Sequence, residues 1–117
     1  MNTSITPVEL DAMLSDVTPV QIFDVRLKED LAPVTHPVPG ATWRDPARVR
    51  EWSDEIDPKR PVVVFCVHGL RVSRGVREAL AELGFVASIL EGGIDAWQEH
   101  AGQTAGRSDT DRRQVGN

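Results

Sequence analysis

The sequence predicts an α/β fold: a central parallel sheet with helices on both faces. Three observations carry this. Pro61-Val62-Val63-Val64-Phe65 contains four consecutive apolar residues, three of them β-branched, which suits a strand covered on both sides. Two more short apolar segments, Val20–Val25 and Phe85–Leu90, read as strands. Amphipathic stretches lie between them, and strands alternating with helices imply right-handed crossovers and parallel pairing.

The elements follow in order. Thr6-Pro7-Val8-Glu9 is a helix start, with Thr6 as cap, Pro7 in the first turn and Glu9 three residues after the cap. Val8, Leu10, Met13, Leu14 and Val17 would supply its apolar stripe. Pro19 ends the helix, and the strand 20–25 follows. Residues 26–45 carry Pro33, Pro37, Pro39 and the Pro39-Gly40 turn, so they are expected to form an ordered connection without a regular element. A short helix over 46–56 would place Val49, Trp52 and Ile56 on one face. After the strand 61–65, Val72, Val76, Ala79, Leu80 and Leu83 recur at helical spacing, with Gly84 as the stop. The third strand, 85–90, turns at Glu91-Gly92-Gly93 into a last helix bearing Ile94 and Trp97. One domain is expected over residues 1–101, with a flexible tail over 102–117, where Ala105 and Val115 are the apolar anchors.

Composition narrows the function. The 117 residues suit a single core, and 40% of them are hydrophobic. No stretch approaches the ~20 apolar residues that cross a bilayer, and the first residues lack a secretory pattern. A cytoplasmic protein without a membrane partner is the expectation. A net charge of −5 argues against nucleic acid, because phosphate contacts need a clustered positive surface. His36, His68 and His100 lack metal-ligand spacing, so no metal or other cofactor is expected. The size permits a monomer.

Cys66 is the single cysteine. Alone it would be read as a small core hydrophobe, but its place in the sequence says otherwise. It directly follows the central strand and precedes the helix starting near Val72, where parallel sheets gather their binding sites. The loop Cys66-Val67-His68-Gly69-Leu70-Arg71 can curl so that its backbone N–H groups face the sulfur as an anion-binding nest. The helix N-terminus adds its positive dipole end, and surroundings of this kind favour thiolate over thiol. Gly69 leaves room for the turn. Arg71 brings a fixed positive charge to the rim, suited to orienting an anionic donor. His68 is expected to shape the pocket mouth, since a thiolate stabilised by amides needs no general base.

These residues resemble a known family. Cys66–Arg71 is similar to the six-residue active-site loop of the rhodanese (thiosulfate sulfurtransferase-like) family, and Phe23-Asp24-Val25-Arg26 looks like its first signature strand. Pro39-Gly40-Ala41 resembles the turn that follows a histidine, here His36, and Leu90–Trp97 resembles the C-terminal signature. The four segments stand in family order and span nearly all of residues 5–100. The resemblance implies a rhodanese-like three-layer sandwich of the single-domain type. It also implies that Cys66 accepts sulfane sulfur and passes it to cyanide, a thiol or an acceptor protein. Asp24 and Arg26 would form supporting ion pairs below the loop, and Trp97 would pack in the core. Three departures stand out. Thr35–Ala41 carries an extra residue, so no role passes to His36, and Trp43 follows an uncommon continuation. Val67 and Leu70 replace cations common in thiosulfate-preferring loops, which turns attention to a persulfide as donor.

Three functions follow, in descending order. The first is a sulfurtransferase exchanging sulfur in two steps through a Cys66 persulfide, with an external acceptor because the chain has no second cysteine. The second is a non-catalytic or redox-sensing module of the same fold, binding partners or forming a sulfenic acid. The third is a phosphatase or arsenate reductase. That chemistry uses a longer loop than the four residues separating Cys66 from Arg71, because the loop must encircle a tetrahedral oxyanion.

Overall fold

The computed structural model describes residues 3–15, 19–67 and 71–103. Its strands are β1 (Thr3–Ile5), β2 (Gln21–Asp24), β3 (Thr42–Trp43), β4 (Val62–Phe65) and β5 (Ala87–Leu90). Its α-helices are α1 (Pro7–Leu14), α2 (Val49–Trp52), α3 (Arg71–Glu82) and α4 (93–103). Among the described residues the strands form one all-parallel sheet in the order β1-β5-β4-β2-β3. β4 is central, as its unbroken apolar run requires, and all four of its residues are buried.

The alternation of side chains along the strands builds two apolar layers. Val62 and Val64 of β4 face one side with Phe23, Val25, Ala87 and Ile89, and α2 and α3 cover them with Val49, Trp52, Val76 and Leu80. Val63 and Phe65 face the other side with Ile22 and Leu90, covered by Leu10 of α1 and by Ile94 and Trp97 of α4. This is the three-layer α/β sandwich expected from the sequence.

Local chemistry explains the helix boundaries. Thr6 and Glu9 form a capping box: Glu9 N–H donates to the Thr6 hydroxyl at 3.2 Å, and Thr6 N–H donates to Glu9 Oε1 at 2.8 Å. Leu10 is sealed while Val8 is 63% exposed, so the buried stripe of α1 is narrower than expected; Val17 lies outside the described residues. At the end of α3, Phe85 N–H donates to Leu80 O and Gly84 N–H to Ala81 O, the two bonds of a Schellman motif. Gly84 sits at φ +92, which a residue with a Cβ resists. Leu83 lies in this terminal turn, 38% exposed, outside the stripe of Val76 and Leu80.

Two strands were not legible. β1 and β3 are edge strands of three and two residues, each paired to a single neighbour, and neither has an apolar run. The expected helix over 46–56 is broken into a 3-10 turn at Pro46–Arg48, α2, and a second 3-10 turn at Ser53–Glu55. Even so, Val49, Trp52 and Ile56 are all buried as one face. α4 runs through Gln103, so the first two residues of the expected tail are helical; residues 104–117 lie outside the described residues.

At the carboxyl edge of the sheet, Asp24 and Arg26 lock the end of β2. Arg26 Nη2 donates to Asp24 Oδ2 at 2.7 Å, and its Nε and backbone N–H donate to Asp24 Oδ1 at 3.0 Å. Trp43 Nε1 donates to Arg26 O at 2.9 Å, and Arg44 N–H to Asp24 O at 3.0 Å, tying this turn to β3. The two side chains are 11% and 10% exposed, so each depends on the other for solvation. Asp24→Ala would leave the guanidinium buried without its counter-ion. We expect a loss of about 3–5 kcal/mol in urea unfolding, the range for breaking a buried pair. A loss below ~1 kcal/mol, typical of an exposed pair, would contradict this account of the turn.

Candidate active site at the end of strand β4

Cys66 is the first residue after β4, the strand flanked by β5 on one side and β2 on the other. It is buried, at 5% exposure. Pairing fixes its height in the fold: Asp24 of β2 lies opposite Phe65, and Val25 N–H donates to Phe65 O at 2.9 Å. The Asp24–Arg26 lock therefore stands beside Cys66 on the carboxyl edge.

A second contact fixes the backbone from the other face. Ile94 N–H donates to Cys66 O at 2.8 Å, and Asp95 N–H donates to Val67 O at 3.0 Å. These donors belong to the first turn of α4, where helix N–H groups have no intrahelical partner. The end of β4 supplies two of them with acceptors. Such close approach needs glycine. Gly93 sits at φ +62, and a Cβ there would collide with the Cys66 and Val67 carbonyl oxygens. The sequence signals this only as a double glycine before a helix.

The contact also orients the peptide between Cys66 and Val67. The described backbone has no cis peptide bond, and in a trans unit the N–H points opposite to the C=O. With Cys66 O drawn to α4, the Val67 N–H points away from α4. Side-chain alternation, carried one residue past β4, would put Cys66 on the same side. Val62 and Val64 belong to the α3 layer, Val63 and Phe65 to the α4 layer, and a further step of that alternation leads to the α3 layer. Val25, also one residue past its strand, keeps this alternation and packs in that layer.

Arg71 is exposed and is the first residue of α3. It helps line an open groove of ≈ 510 Å³ together with Leu27, Lys28, Asp45, Val72 and Gly75. His68, Gly69 and Leu70 lie outside the described residues. Val67 is half-buried. The structure thus brings Cys66, Val67, Asp24, Arg26 and Arg71 to one edge of the sheet. His36 is not brought there. Its ring faces Gly102, near the far end of α4 from Gly93, about 14 Å along the helix at 1.5 Å per residue. Trp97 is a core residue at 4% exposure, its Nε1 donating to Pro37 O at 3.3 Å. Trp43 bonds to the Arg26 carbonyl and so braces the turn beside the site.

The rhodanese-like domain family model matches residues 6–100. A thiosulfate sulfurtransferase GlpE of Coxiella burnetii is 39% identical over 56 residues, 46% of this chain and 50% of that protein. The chain thus spans about half the length of the curated relatives it matches. A rhodanese-like domain protein of Staphylococcus aureus superposes with a TM-score of 0.69 at 30% identity, covering 81% of this chain and 90% of that one. A rhodanese homolog of Thermus thermophilus gives 0.59 at 28% identity, covering 80% and 98%. A family match across most of the chain, on a sheet that ends in Cys66, makes this protein a member of the rhodanese-like domain family.

Proposed function

We propose that the protein is a sulfurtransferase that carries sulfane sulfur on Cys66. The observation that supports this reading best is the orientation of the Cys66–Val67 peptide, whose carbonyl is held by α4 so that the Val67 N–H points away from that helix. The Cys66 thiolate attacks the outer sulfur of a small donor, thiosulfate or an organic persulfide. A new S–S bond forms at Cys66, the donor's S–S bond breaks, and sulfite or the donor thiolate leaves with the electron pair. An acceptor nucleophile, cyanide or a thiol, then attacks the terminal sulfur and restores the thiolate.

The chain's own residues have separate tasks in this cycle. The Val67 N–H, and with it the amides of His68, Gly69 and Leu70, would steady negative charge on the bound sulfur. The N-terminus of α3 adds its dipole from the same side. Arg71 at the rim would orient the anionic donor, and the groove beside it leaves room for the donor or acceptor body. Asp24 and Arg26 take no part in the chemistry and act by holding the neighbouring strand end. A reducing compartment such as the cytoplasm suits a reaction that needs an unoxidised thiol.

Two experiments test the reading. Incubation with thiosulfate, followed by intact-mass analysis, should add about 32 Da to the wild type and nothing to Cys66→Ala. Failure of the wild type to gain sulfur from thiosulfate, mercaptopyruvate or glutathione persulfide would contradict it. Gly93→Ala forces apart the contact between α4 and the end of β4. It should lower stability by ~2 kcal/mol or more and slow sulfur loading roughly tenfold to a hundredfold through misplacement of Cys66. Loading at the wild-type rate would mean that this contact does not position the thiol.

A further inference from the structure

Ser73 is completely buried, and its hydroxyl is the one buried side-chain polar atom among the described residues without a hydrogen-bond partner. Leaving such a group unsatisfied costs stability, and nothing in apolar packing requires it, because alanine would fill nearly the same space.

Its position indicates what it serves. Ser73 is the third residue of α3. Val76 and Leu80, three and seven residues on, form the helix stripe pressed against the sheet, so Ser73 extends that stripe by one turn toward the helix N-terminus. On the facing strand the corresponding row is Val62, Val64 and, by alternation, Cys66. A helix that returns the chain between two parallel strands runs opposite to the strand before it. The two rows therefore run in opposite directions through one layer: Leu80 and Val76 on the helix pack with Val62 and Val64 on the strand, and Ser73 and Cys66 are the next positions of the two rows. Ser73 and Cys66 close the same end of that layer, at the carboxyl edge of the sheet.

We propose that the Ser73 hydroxyl donates a hydrogen bond directly to the sulfur-loaded side chain of Cys66. The inference rests on the persulfide reading above and adds a side-chain donor to the backbone ones. In the sulfur-free protein the hydroxyl stands unsatisfied. Once Cys66 carries a terminal sulfur, the added anionic atom enters the end of the layer and gives that hydroxyl an acceptor. Part of the cost of burying the hydroxyl is thereby recovered only in the loaded state, which shifts the loading equilibrium toward the persulfide.

The test compares wild type, Ser73→Ala and Ser73→Thr. Each is equilibrated with a glutathione and glutathione-persulfide pool, the loaded fraction is read by intact mass, and the melting temperature of the sulfur-free form is recorded. We expect Ser73→Ala to melt at or above the wild-type temperature when sulfur-free, because the orphaned hydroxyl is gone. Its loading equilibrium should fall about tenfold, as for loss of a hydrogen bond to a charged group, and Ser73→Thr should restore much of it. Equal loading of the wild type and Ser73→Ala would overturn this inference while leaving the persulfide reading intact. A sulfur-free Ser73→Ala that melts lower than the wild type would also overturn it, since the hydroxyl would then serve the resting fold. A wild type that takes up no sulfur would overturn the persulfide reading itself, and this inference with it.

Discussion

The site depends on one backbone contact: the first turn of α4 gripping the carbonyls of Cys66 and Val67. Two N–H groups that a helix cannot use internally are satisfied by two carbonyls that have run past the end of the sheet. The approach is close enough that only glycine fits at position 93. This contact fixes the plane of the peptide following the cysteine, and so the direction of the Val67 N–H. It works from the face opposite α3. Held from one face by α4 and from the flank by the Asp24–Arg26 turn, the end of β4 has little freedom to rotate.

The sequence disclosed the core and the candidate residue for physical reasons. A run of β-branched residues can be satisfied only by a strand covered on both faces, and β4 is that strand. Val76 and Leu80 had to share a helix face, and Thr6 with Glu9 could form a capping box only if a helix began there; all are found so. Cys66 stood out because it followed the most apolar strand directly. Among the candidate site residues, Arg71 was legible from its place in the loop after Cys66, and Asp24 and Arg26 through resemblance; all three lie at the carboxyl edge of the sheet.

What the sequence withheld was set by tertiary contact. β1 and β3 are too short and too polar to show a period, and they exist because β5 and β2 offer unpaired edges. Gly93 read as a turn residue, since its role is defined by a carbonyl 26 positions upstream in the chain, at Val67. Nothing in the sequence singles out Ser73. Its buried, unpartnered hydroxyl shows only once α3 is packed on the sheet. For β1, β3 and Gly93 the missing information was a neighbour distant in sequence.

The most direct measurement is a crystal structure of the protein after exposure to a sulfur donor. The account predicts a second sulfur bonded to Cys66 Sγ, on the α3 side of the sheet, within hydrogen-bonding distance of the Val67 N–H, with α4 still bonded to the Cys66 and Val67 carbonyls. An unmodified thiol packed toward Phe65 and α4, with that N–H turned elsewhere, would contradict it.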